Sequence, residues 1–262
     1  MRLNFLNINI MEETNCEKNK TCGCGDNCEC NCCDCGCCCE MSAPTSLVGR
    51  KAPCFTAPAV LEGTEVVENF SLSKYLGRKY IVLFFYPKDF TFVCPTELHA
   101  FQDALSEFDK RNTHVIACST DTVESHYAWL QQPKAQGGVK GIVFPMVSDT
   151  NKTIAARYGV LSGTYYIEDG ALKTCYFDAD GECQEGGTLV AYRGLFLIDK
   201  KGIVQHQVVN NMPLGRSVQE TLRMIDALQH FEQYGEVCPI DWHKGSAAMK
   251  PDADGLKGYF SK

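Results

Sequence analysis

Chemistry concentrates in one stretch of this chain: Phe84-Phe85-Tyr86-Pro87-Lys88-Asp89-Phe90-Thr91-Phe92-Val93-Cys94-Pro95-Thr96-Glu97. An apolar run ends in a proline turn, and a cysteine stands at a helix-start signal. The N-terminus of a helix carries unpaired N–H groups and roughly half a positive charge, which favour thiolate over thiol. Pro95 supports the start, because its fixed backbone angle suits the first turn and its missing N–H costs nothing there. Thr91, three residues before Cys94, lies within hydrogen-bonding reach of the sulfur. Placement alone marks Cys94 as a reactive cysteine. No second cysteine follows at C-x-x-C spacing, so its partner is a small substrate or a distant thiol.

The other cysteines form two groups. Of the 17, eleven lie between Cys16 and Cys39, and the rest are Cys54, Cys94, Cys118, Cys175, Cys183 and Cys238. Residues 12–40 contain no aromatic and, beyond the cysteines, no aliphatic side chain, so they cannot build a core. Cys22, Cys24, Cys28, Cys30, Cys32, Cys33, Cys35, Cys37, Cys38 and Cys39 arrive as Cys-x-Cys and adjacent pairs. With no histidine before His99, mixed Cys/His zinc fingers are excluded. Three readings stay open: a metal-thiolate cluster for zinc or cuprous copper, variable disulfides, and a thiol-rich tail disordered when reduced.

The elements that must position Cys94 follow from hydrophobic spacing. Lys79–Tyr86 reads as a central strand buried on both faces. From Pro95 to about Phe108 the spacing predicts one helix, with Leu98, Phe101, Leu105 and Phe108 on one side. Val115–Cys118 and Val143–Val147 read as strands, Val123–Leu130 and Thr153–Tyr158 as short helices, the latter capped by Gly159. Gly194–Asp199 and Ile203–Val209 bracket Lys200-Lys201-Gly202 as a hairpin. Val218, Leu222, Ile225, Leu228 and Phe231 mark an amphipathic helix. The order implies an α/β fold, a mixed sheet flanked by helices.

Composition narrows the function classes. The net charge of −7 gives no reason to expect nucleic-acid or anionic-membrane binding. No apolar stretch is long enough to span a bilayer. Met1–Met11 lacks a convincing signal-peptide core, so a cytoplasmic protein is expected.

Pro87-x-x-x-Thr91-x-x-Cys94 closely resembles the peroxidatic motif of the typical 2-Cys peroxiredoxins, and Gly235-Glu236-Val237-Cys238-Pro239 resembles that family's resolving-cysteine segment. The resemblance runs from about Pro44 to Lys262. It implies a thioredoxin-like fold with a C-terminal arm, hence a Cys-rich extension over 1–42, a peroxidase domain over 43–234 and an arm over 235–262. It also implies peroxide reduction by Cys94, with the Thr91 hydroxyl, the Cys94 N–H and Arg193 as donors and Pro87 shielding the sulfur. Glu97 and Arg216 match a supporting ionic network, although ion pairs of this kind are often surface features of little weight. Cys238, from a partner subunit, would resolve the sulfenic acid as an intersubunit disulfide, which a thioredoxin-type donor then reduces. A homodimer follows, and by resemblance a decamer of five dimers; no metal or organic cofactor is implied.

In members prone to overoxidation, a Gly-Gly-Leu-Gly loop and a C-terminal Tyr-Phe helix slow exposure of the peroxidatic cysteine. Tyr259-Phe260 is present here, but the loop reads Gly137-Gly138-Val139-Lys140, which predicts intermediate sensitivity. Roughly twenty residues more than the family carries lie within about 162–191, more than an ordinary loop. Asp169-Gly170 and Asp180-Gly181 signal one or two added hairpins, with Cys175 and Cys183 flanking the second turn and able to face each other. Asp178–Glu182 lacks the full ligand series of a calcium loop. Cys54 and Cys118 read as core or structural thiols. Competing functions are a thiol-rich metal-binding protein and a redox-regulated chaperone or peroxide-signalling relay on the same scaffold.

Overall fold

The computed structural model describes residues 46–168, 171–178 and 180–261. The Cys-rich segment and its ten candidate thiolate ligands lie outside the described residues, as does the Asp169-Gly170 turn. The elements, in chain order, are β1 (Thr56–Leu61), β2 (Glu65–Ser71), β3 (Tyr80–Phe85), α1 (Cys94–Asp103), α2 (Leu105–Lys110), β4 (Thr113–Ser119), α3 (Val123–Gln131) and β5 (Met146–Ser148). They continue as α4 (Thr153–Arg157), β6 (Gly163–Glu168), β7 (Ala171–Phe177), β8 (Cys183–Glu185), β9 (Arg193–Ile198), β10 (Val204–Asn210), α5 (Val218–Tyr234) and α6 (Ala253–Phe260).

The chain divides into two compact units, one of Thr45–Leu161 with Val190–Lys262, the other containing Ser162–Leu189. In the first, seven strands run in the order β10-β9-β3-β4-β5-β1-β2. The β3, β4 and β5 strands are parallel, and antiparallel strands close both flanks. This is the mixed sheet of a thioredoxin-like fold.

Every residue of β3 is buried, because apolar side chains cover both of its faces. The period-2 alternation of a strand splits them. Tyr80, Val82, Phe84 and Tyr86 join Cys94, Leu98, Phe101, Trp129, Leu222 and Ile225 in one cluster. Ile81, Leu83 and Phe85 join Phe55, Phe70, Tyr158 and Phe196 in the other. Cys94 thus belongs to the core on the side of α1 and α5.

Two sequence expectations are corrected. The Pro95–Phe108 segment is two helices, broken at Ala104, where the backbone leaves the helical region (φ −93°, ψ 3°). The bend keeps the Phe101 and Phe108 rings stacked at 5.8 Å in the core. The strand expected over Val143–Val147 begins only at Met146. Pro145 lacks an N–H and restricts Phe144, so pairing starts after it. The Asp199–Gly202 turn does form the expected β9–β10 hairpin: the Asp199 carboxylate accepts from the N–H groups of Lys201 and Ile203, both at 2.8 Å, and Gly202 takes φ +79°. Ser217 caps α5 by accepting from the Glu220 N–H, and Gly235 ends it at φ +66°.

The second unit is a three-stranded antiparallel sheet, β6-β7-β8, so two hairpins share β7. In its register Cys175 stands opposite Glu185, and Phe177 opposite Cys183, which places the two cysteines diagonally rather than face to face. Cys175 is buried and disulfide-bonded, and the Cys183 side chain lies outside the described residues.

Candidate active site

Cys94 is the first residue of α1 and is fully buried. Val93 precedes the helix in αR conformation with no side-chain cap, and Pro95 occupies the first turn. Pro95 has no N–H, and those of Thr96 and Glu97 donate to the Val93 carbonyl at 3.0 and 3.3 Å, so the Cys94 N–H is the one left to answer charge at the sulfur. The thiol is free, as are those of Cys118 and Cys238.

Arg193 opens β9, whose pairing with β3 brings it beside the end of the central strand. One of its nitrogens, Nη1, lies 3.4 Å from Cys94 Sγ and 2.6 Å from Glu97 Oε2. Its Nε donates to the Met212 carbonyl at 2.6 Å. These two anchors fix the plane of the guanidinium, so Nη1 is held against the sulfur without further ordering.

Glu97 lies one turn along α1 from Cys94. Arg216 clasps it three times: N to Oε1, Nε to Oε1 and Nη2 to Oε2, each at 2.8 Å. Arg216 Nη1 also donates to the carbonyls of Phe85 and Gly194, and the guanidinium lies 5.1 Å from the centre of the Phe84 ring. All three charged side chains are buried, so this is no surface pair. Burial pushes the Glu97 carboxyl up, but the hydrogen bonds and charge of Arg216, joined by the charge of Arg193, outweigh it and hold Glu97 below the usual carboxylate range. Two guanidinium groups against one carboxylate leave one positive charge uncompensated. A thiolate at Cys94 balances it.

Pro87 is buried, two residues after β3. The Thr91 hydroxyl donates to the Lys88 carbonyl at 2.9 Å, which ties it into the loop before Cys94. Cys238 lies beyond α5, half-buried, with its Sγ 3.5 Å from the Ala227 carbonyl, and burial pushes its thiol up. Gly137 and Gly138 follow α3; Gly137 takes φ +78°, and a Cβ on Gly138 would sit 2.0 Å from the Gln132 carbonyl oxygen. The fourth position of that loop is Lys140, and a left-handed backbone recurs one residue later at Gly141, φ +100°. Tyr259 and Phe260 close α6 with their rings edge to face.

A second polar cluster was invisible in the sequence. Asp89, buried in the loop before Cys94, accepts from Tyr86 Oη at 2.8 Å and Ser125 Oγ at 2.9 Å and pairs with His126 Nδ1 at 2.8 Å. His126 Nε2 meets the Val147 carbonyl at 3.2 Å. A carbonyl only accepts, so Nε2 carries hydrogen, and a proton on Nδ1 as well makes an imidazolium–carboxylate pair. Burial lowers the His126 pKa, yet hydrogen bonding and charge from Asp89 override it and raise the value above its ordinary one. The only sequence signals were an acid within an apolar run and a histidine on the buried face of a helix. Among the described residues no cluster suited to a metal ion occurs, and no helix is long and apolar enough to cross a membrane.

Comparison with known proteins shows the family to which the chain is similar. Residues 48–207 match the AhpC/TSA family, and residues 227–262 match the C-terminal domain of 1-Cys peroxiredoxin. A chloroplastic 2-Cys peroxiredoxin of Hordeum vulgare is 46% identical over 215 residues, covering 82% of this chain and 90% of the relative. Peroxiredoxin-1 of Gallus gallus is 46% identical over 222 residues, covering 85% and 99%. A thioredoxin peroxidase of Echinococcus granulosus is 44% identical over 216 residues, covering 82% and 98%. Among solved structures, the reduced 2-Cys peroxiredoxin of Plasmodium vivax superposes with a TM-score of 0.70 at 41% identity, covering 83% of this chain and all of that one. With a buried cysteine at a helix N-terminus under an anchored arginine, and relatives of this similarity along most of its length, the chain belongs to the AhpC/TSA family as a 2-Cys peroxiredoxin, an enzyme of thiol-dependent peroxide reduction.

Proposed function

We propose that the chain reduces hydrogen peroxide and organic hydroperoxides through a Cys94 sulfenic acid and an intersubunit Cys94–Cys238 disulfide, recycled by a thioredoxin-type dithiol. The observation that carries this reading is Arg193 Nη1, held 3.4 Å from the buried Cys94 sulfur by the Met212 carbonyl and Glu97. The Cys94 thiolate attacks one peroxide oxygen; the S–O bond forms as the O–O bond breaks, and the departing oxygen leaves as water or alcohol after taking a proton. Sulfur is oxidised by two electrons and the peroxide is reduced. Negative charge grows on both oxygens, and Arg193, the Cys94 N–H and the Thr91 hydroxyl, once turned from the Lys88 carbonyl to which it donates here, are the donors assigned to it, with Pro87 excluding water. Arg216 and Glu97 hold Arg193 in place.

Cys238 then attacks the sulfenic sulfur, the S–OH bond breaks, and water leaves with the thiol proton. A dithiol donor restores both thiols by exchange. The name of the Echinococcus relative supports a thioredoxin-type donor. Dimerisation is supported by β10, an edge strand whose outer flank beyond Val204, which pairs with Gly49 and Arg50, is unpaired among the described residues. A ring of five dimers is the larger assembly in this reading.

Disulfide mapping by mass spectrometry tests the proposal, after one equivalent of hydrogen peroxide is added to fully reduced protein. A Cys94–Cys238 peptide joining two chains is expected. Pairing of Cys94 with a cysteine of the N-terminal segment would overturn the resolving role of Cys238.

A further inference from the structure

The arm that carries Cys238 docks on one face of α5. Arg223, Ala227 and His230 are spaced so that they form one stripe along that helix. The arm reaches each of them. The Cys238 thiol lies against the Ala227 carbonyl, its Sγ 3.5 Å from the oxygen. His230 Nε2 pairs with Glu236 Oε2 at 3.0 Å, and its ring lies 4.8 Å from the ring of buried Trp242. Arg223 Nη1 donates to the Trp242 carbonyl at 2.8 Å. Backbone bonds between Val237 and Met249, at 2.8 and 3.3 Å, close the arm into a loop around these contacts, so a hold on Trp242 is also a hold on Cys238.

Arg223 is itself held. Glu220 accepts from its Nε at 2.6 Å and from its Nη2 at 2.7 Å, a two-point grip that fixes the guanidinium plane and leaves Nη1 to the arm. Among the described residues, the charged and titratable groups gathered here are Glu220, Arg223 and His230 from α5, Glu236 and Asp241 from the arm, and His206 from β10. Two of them act on the sulfur. The Arg223 charge favours its thiolate and the Glu236 charge opposes it, while burial keeps the thiol above its ordinary value. Glu220, Asp241 and His206 act through Arg223.

We propose that Arg223 is a positioning residue for the resolving step: it pins the arm through the Trp242 carbonyl and sets its guanidinium where the Cys238 thiolate forms. The proposal rests on the disulfide reading above. In that step the Cys238 thiolate attacks the sulfenic sulfur of the partner subunit's Cys94. The S–S bond forms, the S–O bond breaks, and hydroxide leaves and takes a proton to become water. The sulfenic sulfur is reduced and the Cys238 sulfur oxidised, both to the disulfide level. A thiolate, not a thiol, is the nucleophile, so the step depends on how readily Cys238 gives up its proton.

The test uses the full reduced chain and follows alkylation of Cys238 by iodoacetamide against pH, with its peptide resolved from those of the other cysteines by mass spectrometry. Wild type should show a midpoint above that of an ordinary thiol. Arg223→Gln should raise the midpoint by about half a unit to one unit, the effect of one partly screened charge. Arg223→Lys, which keeps the charge, should recover most of that shift, and Glu236→Gln should move the midpoint down. After one equivalent of hydrogen peroxide at neutral pH, Arg223→Gln should form the Cys94–Cys238 disulfide about twofold to fourfold more slowly than wild type, because the loss of thiolate outweighs the gain in nucleophilicity. Arg223→Met, which keeps the aliphatic stem, takes the place of Arg223→Gln if that variant does not fold. An unchanged midpoint in a folded neutral variant, or an equal shift in Arg223→Lys, would overturn the role of Arg223 and leave the peroxidase reading intact. Wild-type protein that forms no Cys94–Cys238 disulfide would instead overturn the reading beneath it.

Discussion

Arg216 grips both oxygens of Glu97 and, through the same guanidinium, the carbonyls at the end of β3 and the start of β9. One side chain thus ties the helix that carries Cys94 to β3, which leads into Pro87, and to β9, which carries Arg193. Arg216→Met should destabilise the fold by about 3–5 kcal/mol, because it leaves a buried carboxylate short of partners and two carbonyls unpaired. Glu97 has a lowered folded-state pKa, so its contribution is present above the unfolded value and is lost as pH falls through the folded one. Denaturant titrations of wild type and variant should therefore show a gap that is wide near neutrality and narrows in acid. A gap independent of pH would mean that packing, not charge, carries the effect.

Arg193 meets three acceptors with a geometry only a guanidinium supplies: Met212 O through Nε, and Glu97 and Cys94 Sγ through Nη1. Arg193→Met should lower the second-order constant for Cys94 oxidation about 10²–10³-fold, the usual weight of one preorganised donor to developing charge. Arg193→Lys should recover only part of that loss, since an ammonium cannot serve the carbonyl and the sulfur from fixed positions. Stopped-flow oxidation of reduced protein gives both numbers.

Asp89 and His126 supply a pH signature of opposite sign. The folded-state pKa of His126 is raised, so the stability its charge contributes is fully present below the ordinary value of 6.5 and is lost as pH rises through the raised one. Asp89→Asn removes the counter-charge. Its melting temperature should fall furthest below wild type at about pH 6 and approach wild type towards about pH 9. Parallel curves across that range would show that the pair is neutral in the folded protein.

These residues mark where sequence reading stops. β3 was legible because a strand covered on both faces must be apolar at every position, and Cys94 was legible because a cysteine before Pro95 at a helix start has few structural uses. The β9–β10 hairpin was legible from its Lys-Lys-Gly turn. By contrast, the Asp89 cluster gathers the segment after β3, α3 and β5, and no local spacing announces it. The tight hold on Arg193 and Arg216 uses the carbonyls of Met212, Phe85 and Gly194, and backbone acceptors leave no mark in a sequence. The weight of Glu97 was underestimated for the same reason: its partners come from positions 193 and 216, and only the fold reveals that all three are buried. The helix break at Ala104 had no sequence signal, since neither glycine nor proline stands there.

Removal of residues 1–41 separates the Cys-rich segment from the chemistry. Every group assigned to peroxide reduction lies between Pro87 and Cys238, and Cys94 is buried among residues of β3, β9 and α1. The truncated protein should therefore keep the second-order constant for Cys94 oxidation within about twofold of the full chain. It should also form the same Cys94–Cys238 disulfide. Full-length protein purified under reducing conditions should, on the metal-thiolate reading, carry zinc or cuprous copper that the truncated form lacks, measured by elemental analysis. Equal and negligible metal in both forms would sink that reading. A fall in the Cys94 oxidation constant well beyond twofold would show that the segment serves the peroxidase site itself, through contacts or thiols that the core chemistry alone does not require.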